Sequence, residues 1–307
     1  FSPGGERGRL VIFGYHQVLD APDPNRPGEP TAEDFALDIA IISSVFNVLT
    51  FGEAVSKLGA GKLPARAACV TFDDGYANNH SRAAPILEEA GVPATFFIAG
   101  GAVDDGVMWN DLVIESVAAA GGWPKLPECR EPLSAPDLEP GGAAITEHLL
   151  QQLKYRPLQE RWAISREMYL QNVGSDLPRL MMKRDMVRDL KSRGFEIGGH
   201  TINHPILKQM TEQSAEREIT ECRNWVTTVT GSAPSSFAYP NGRTGTDYDE
   251  RHVAMVSKAG FQAAASTDWG LAKATNHPLM LPRTGPWWRQ GRGLTAGLMR
   301  GYLRSYL

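Results

Sequence analysis

The sequence predicts an α/β barrel of parallel strands, and three observations predict it. Short apolar runs of strand length alternate with amphipathic stretches over residues 10–99 and again over 181–284, the rhythm of β/α units. Several runs finish abruptly on a carboxylate or a histidine, as strands do when their C-terminal ends form a reactive face. The chain has 307 residues, long for one simple domain and ordinary for a barrel that carries an insertion. We read 1–307 as one domain with a helical insertion at 103–180.

Taken in order, residues 1–9 are polar and glycine-rich. Residues 10–16 read as a strand ending at His16. Four prolines between 20 and 30 mark an irregular loop. Thr31 reads as a helix N-cap with Asp34 three residues on, and Phe35, Ile39 and Ile42 form the apolar face. Residues 47–51 are a short strand, followed by a helix to Gly59. Residues 69–75 are a buried strand that stops at two carboxylates and a glycine. A helix over 83–90 ends at Gly91, and 94–99 is another buried strand. The rhythm breaks over 103–180, where 111–120 and 145–170 read as helices separated by prolines at 124, 127, 132, 136 and 140. From there the pattern predicts a helix at 181–194, a strand at 195–200, a helix at 211–230 and a strand at 236–240. A helix at 248–260, strands at 261–267 and 279–284 and a helix at 294–306 complete it.

Bulk composition narrows the function. Hydrophobic residues make up 42% and charged residues 21%, which describes a globular chain able to bury a core. A net charge of -4 without a basic block argues against nucleic acid. No apolar run is long enough for a membrane span. Three widely spaced cysteines exclude a zinc knuckle and allow one bridge at most, so buried or free thiols are expected. Residues 1–30 show no signal-peptide pattern. A leader removed before Phe1 would leave the same sequence, so the compartment stays open between cytoplasmic and exported.

The chemistry concentrates in two places. Asp73 and Asp74 stand side by side at a strand end, where two like charges repel unless a cation or a proton lies between them. His200 and His204 follow another strand at a spacing that suits a metal when both rings face one way. Gly198, Gly199 and Pro205 argue for a loop around this pair rather than a helix. Alone, each motif is ambiguous. Together, at the C-terminal ends of parallel strands, one carboxylate and two histidines leave open coordination positions for a hydrolytic metal, and a second carboxylate is free to act as a base.

The runs Thr71-Phe72-Asp73-Asp74-Gly75 and His200-Thr201-Ile202-Asn203-His204-Pro205 resemble the first and second motifs of the NodB-homology polysaccharide deacetylases, carbohydrate esterase family four. Phe237-Ala238-Tyr239-Pro240-Asn241-Gly242 is similar to a variant of their third motif. The resemblance covers residues 8–100 and 181–285. It implies a distorted (β/α)7-type barrel that removes acetyl groups from N-acetylated sugars of a polysaccharide or glycan precursor. It also implies that Asp74, His200 and His204 hold a metal, usually zinc and sometimes cobalt or nickel, with Asp73 as general base. The backbone N–H of Asn241 would face the oxyanion.

Three positions depart from that family's pattern. Ala238 stands where an arginine often flanks the base. Ala265 stands where an aspartate often precedes Asp268-Trp269. Leu281-Pro282-Arg283 replaces the run whose histidine is the general acid. Arginine cannot release its proton near neutral pH. The acid is therefore another residue, His16 first and His277 second, or Asp73 itself after its base step, and Arg283 is a candidate to orient Asp73. Trp109-Asn110-Asp111, Asp104, Asp105, Tyr76, Asn78, Asn79, Trp287 and Trp288 are candidate borders of a sugar site, with capping and packing as their plainer roles. The sequon Asn79-His80-Ser81 is short enough to occur by chance. The expected partner is an N-acetylated glycan. An O-acetyl polysaccharide esterase and an inactive carbohydrate-binding relative are the alternatives.

Overall fold

Strand β3 (Ala67–Phe72) is buried along its whole length and lies beside β1 (Arg9–Tyr15) in parallel register, Val11 opposite Ala68 and Tyr15 opposite Phe72. A strand covered on both faces reads as a continuous apolar run, which is how both appear in the sequence. The structure is a computed structural model and describes residues 2–135 and 141–284. Around this pair the sheet grows in one direction through β4 (Thr95–Ile98), β5 (Glu196–Gly199), β6 (Ser236–Ala238), β7 (Ala263–Trp269) and β9 (Leu281–Arg283), all parallel. The short β2 (Asn47–Val48) joins β3, and β8 (Ala272–Lys273) pairs antiparallel with β1. Thr284 then donates its N–H to Ile12 O at 2.7 Å, so β9 returns to β1. The result is a nearly closed, mostly parallel, barrel-like sheet.

The period of two along each strand sorts its side chains between lumen and outer layer. Leu10, Ile12, Cys69, Phe97, Ala238, Ala265 and Leu281 fill the interior. Their neighbours Val11, Phe13, Val70 and Phe72 point outward onto α1 (Ala32–Val45) and α3 (Ala84–Glu89) through Phe35, Ile39 and Leu87. Thr31 closes the first turn of α1 in a capping box with Asp34. Helices α8 (Arg184–Ser192), α9 (Glu212–Thr230) and α10 (Glu250–Lys258) complete the outer layer, whereas α2 (Phe51–Gly59) packs Phe51, Ala54, Val55 and Leu58 against the interior residues.

Between β4 and β5 the chain leaves the sheet. Helices α4 (Gly100–Asp105), α5 (Trp109–Ala120), α6 (Gly142–Lys154) and α7 (Leu158–Asn172) pack together with no strand among the described residues. Val113, Val117, Ile145, Leu149, Leu153, Ile164 and Met168 give α5, α6 and α7 an apolar core of their own.

Several sequence expectations need correction. The helix expected over 145–170 is two helices, because Pro157 lacks an N–H and pushes Arg156 out of helical geometry. The strand expected over 47–51 stops at Val48, since Phe51 enters α2 and its N–H bonds Thr95 Oγ1 at 2.9 Å. The helix expected over 181–194 starts at Arg184, because Met181 bridges Tyr76 instead. Gly198 and Gly199 lie inside β5, within the strand expected over 195–200, and the loop begins after them. A Cβ on Gly198 would sit 2.5 Å from the Phe97 ring, so close packing of neighbouring strands requires glycine there. Cys69, Cys129 and Cys222 are free thiols. Trp287, Trp288 and the helix expected over 294–306 lie outside the described residues.

Candidate active site

The same period of two that puts Cys69 and Thr71 in the lumen puts Asp73 there, one step past the end of β3. Thr71 Oγ donates to Phe13 O at 2.8 Å, tying β3 to β1 just below. Asp74 has φ +74°, a left-handed conformation that costs a non-glycine residue about 1–2 kcal/mol. That turn brings the second carboxylate to the same mouth as the first. Both are buried, at 4% and 5% exposure.

His200 follows β5, and its Nδ1–H donates to Ala238 O at 2.8 Å on β6. This leaves Nε2 facing Asp74 Oδ1 at 3.3 Å. His204 Nε2 reaches the same oxygen at 3.4 Å, from a residue with φ +49°. The loop between the histidines is pinned by Glu218 of α9, whose Oε2 accepts the N–H groups of Ile202 and Asn203 at 3.0 and 2.8 Å. One donor atom from each of Asp74, His200 and His204 lies within 4.8 Å of the others. Asp74 Oδ1 is buried without a hydrogen-bond partner, although it sits at the centre of this group. An orphaned carboxylate oxygen between two imidazole nitrogens fits a divalent transition metal, for which a mixed nitrogen and oxygen set is suited.

Electrostatics divide the two carboxylates. Arg283 on β9 grips Asp73 with both arms, Nη1 to Oδ1 at 2.8 Å and Nη2 to Oδ2 at 2.7 Å, and its Nε donates to Ser266 O at 2.8 Å. Burial pushes the Asp73 pKa up, but Arg283 and His200 outweigh it and hold the carboxyl below its usual range. Burial likewise drives His204 down to about 3, which keeps this ring neutral. His200 moves up, because Asp73 and Asp74 outweigh its burial.

These groups form the floor of a cavity of about 710 Å³. Its walls come from outside the strands. Pro27, Gly28 and Glu29 of the proline-rich loop form one side. Trp109 and Asn110 of α5 and Glu147, Leu150, Gln151 and Lys154 of α6 form another. The helical segment thus borders the site. His16 lines the cavity with its Nδ1 3.8 Å from Glu29 Oε1, and Asn79 Nδ2 holds the His16 carbonyl at 2.7 Å. Asn241 lines it too, in a left-handed turn with φ +57°. His277 does not; its Nδ1 accepts the Leu279 N–H in a loop before β9.

The remaining candidates separate cleanly. Tyr76 lines the cavity, and its hydroxyl contacts Asp111 at 3.3 Å. Asp111 is buried and accepts the Met108 N–H at the start of α5, the capping role. Asp104 binds Arg184 and the Trp225 indole away from the cavity. Asn78 binds Gln17. Asn79 is fully buried, so its sequon is inaccessible in the folded chain. Sequence reasoning missed Glu218, Glu29 and the α6 face. Only the row Glu147, Gln151, Lys154, spaced for one helical face, could have indicated the last of these.

Known proteins resemble this chain in sequence family and in fold. A family model described as polysaccharide deacetylase matches residues 60–264. The chain is similar to the putative polysaccharide deacetylase YxkH of Bacillus subtilis (strain 168), with 20% identity over 97% of this chain and 77% of that protein. Among solved structures it resembles the Streptococcus pyogenes deacetylase PplD in complex with acetate, with TM-score 0.60, 17% identity and coverage of 90% and 92% of the two chains. It also resembles IcaB from Ammonifex degensii, with TM-score 0.58, 18% identity and coverage of 92% and 93%.

Proposed function

The chain belongs to the polysaccharide deacetylase family, and from that premise we propose that it is a metal-dependent hydrolase removing N-acetyl groups from sugars of a polysaccharide or glycan precursor. The observation that carries the reading is the division of labour at the cavity floor. Asp74, His200 and His204 converge on one point, while Asp73 beside them is separately paired with Arg283. A pure binding module has no use for a second carboxylate kept ionised next to such a cluster.

Asp74, His200 and His204 would hold the ion, for which zinc suits the donors best and cobalt or nickel would serve. When bound, such an ion polarises the acetyl carbonyl and lowers the pKa of a water. Asp73 takes a proton from the attacking water as general base. Arg283 keeps Asp73 ionised and fixes its plane, in place of the arginine absent at Ala238. The Asn241 N–H donates to the oxygen on which charge develops. His16, steadied by Glu29, donates the proton to the departing amine. We read residues 103–180 as an insertion within a single domain, and Phe237–Gly242 as a variant third motif.

Acetate release from N-acetylglucosamine oligomers and from acetylxylan, with and without zinc, tests the reading. Zinc-dependent release from the oligomers is expected, abolished by Asp73→Asn. Release from acetylxylan alone would instead make the protein an O-acetyl esterase. Release from neither, with glycan binding retained, would sink the enzyme reading. If His16→Gln leaves acetate release unchanged, His16 is not the acid.

A further inference from the structure

The two histidines are held in different ways. His200 donates its outer ring nitrogen to the Ala238 carbonyl, the usual way a ligating imidazole is oriented. His204 has no such support, since its Nδ1 is buried without a hydrogen-bond partner. Its backbone is also strained, left-handed at φ +49° and followed by Pro205, which disfavours helical geometry in the residue before it. Such a conformation persists only when its surroundings over-determine it.

The surroundings include Arg161 of α7. It is 2% exposed, and no carboxylate pairs with it among the described residues. Its Nη2 donates to the His204 carbonyl at 3.3 Å, and its Nη1 to the Lys154 carbonyl at the end of α6 at 3.1 Å. Its guanidinium lies over the Trp109 ring of α5 at 4.6 Å. Burying a cation without a counter-ion is costly, so stability alone is a poor reason for this arginine. The planar fork suits two carbonyls on two separate segments, which an ammonium cannot span in the same way.

Resting on the metal-dependent reading above, we infer that Arg161 is a positioning residue for the metal centre. It locks the His204 backbone from the helical side, so that the Nε2 atom stays aimed at Asp74 although the ring lacks its own support. Helices α5, α6 and α7 then do more than wall the cavity. Through one guanidinium they add to the hold of Glu218 on this loop and fix a ligand whose own outer ring nitrogen has no partner.

The test is titration of metal-free protein with Zn²⁺ by calorimetry, together with the visible spectrum of the Co²⁺-loaded protein. Wild type and Arg166→Met, an exposed change on the same helix, are expected to bind alike. Arg161→Met is expected to bind Zn²⁺ about 10–100-fold more weakly, the usual effect of losing an outer support of a metal ligand. Its Co²⁺ spectrum should shift, and Arg161→Lys should recover part of the loss. Equal affinity within threefold and an unchanged Co²⁺ spectrum in Arg161→Met would overturn the inference. Should that variant fail to give a cooperative melt, Arg161→Lys and Arg161→Gln are judged by the same criterion. If wild type binds no metal, the functional reading falls and the inference with it. Wild-type binding with indifferent Arg161 variants sinks the inference alone.

Discussion

Asp73 in the barrel and Asp111 in the helical segment are both buried carboxylates, and they are treated in opposite ways. Asp73 has a guanidinium to itself, bound through both oxygens at 2.8 and 2.7 Å. Asp111 shares Arg26, which sits 3.7 Å away and makes its short contacts, 2.6 Å each, to Asp23 and Glu115. The Asp73 pKa ends up below its usual range, whereas burial lifts that of Asp111 to about 7. Parallel strands in register bring partners face to face from distant parts of the chain. Where the proline-rich loop meets the helices, Arg26 is shared among Asp23, Glu115 and Asp111, and Arg161 is left without a carboxylate among the described residues. The floor of the site thus gives its base a cation of its own, and the wall shares one cation among three carboxylates.

The comparison breaks most visibly at Asp73. Asp73→Asn is expected to cut kcat by about 10²–10⁴-fold, the usual contribution of a positioned base, while the Zn²⁺ affinity stays near wild type. Retention of more than a tenth of the activity would show that the paired carboxylate is not the base.

Next in size is the contrast between the two arginines. Arg283→Met leaves Asp73 buried without a partner, and a destabilisation of about 3–5 kcal/mol is expected in urea unfolding. Arg26→Met should cost less, because Asp111 is already poorly compensated. Equal losses would remove the distinction between floor and wall.

The third effect depends on pH. The unfolded Asp111 titrates near 3.8 and the folded one near about 7, so the fold favours the protonated acid. Its contribution is complete below pH 3.8 and is lost as pH rises through about 7. The melting temperature of the wild type should therefore fall across that interval by more than that of Asp111→Asn. Parallel melting curves for the two proteins would show that Asp111 is not the group responsible.

The smallest effect belongs to the wall. Removing Glu147 and Gln151 together as alanines should raise KM for an oligosaccharide by less than about tenfold and leave kcat near wild type, the pattern of lost uniform binding. A large fall in kcat would place α6 in the chemistry.

The same division explains what was legible in the sequence. Asp73-Asp74 and His200/His204 are local motifs at strand ends, and the strand period alone places Asp73 in the lumen. Arg283 could be singled out because it follows a recognisable run, Leu281-Pro282. Arg161 could not, since nothing in residues 155–165 shows that its fork meets a carbonyl 43 residues away. The break between α6 and α7 was written in Pro157, yet the apolar spacing of 145–170 outweighed it. Glu29 and the cavity face of α6 acquire meaning only once loop and helices are placed around the barrel mouth.

The return of β9 to β1 has a consequence for how the protein is made. Asp73 and Arg283 are 210 residues apart. At 5–20 residues per second a ribosome needs roughly 10–40 s to travel that far. Throughout that interval the nascent chain carries the two adjacent carboxylates without Arg283, the guanidinium that pairs with one of them. A pairing of such high contact order is slow to form even after synthesis. The first and second motifs are therefore present on the nascent chain well before the partner that Asp73 takes in the folded barrel.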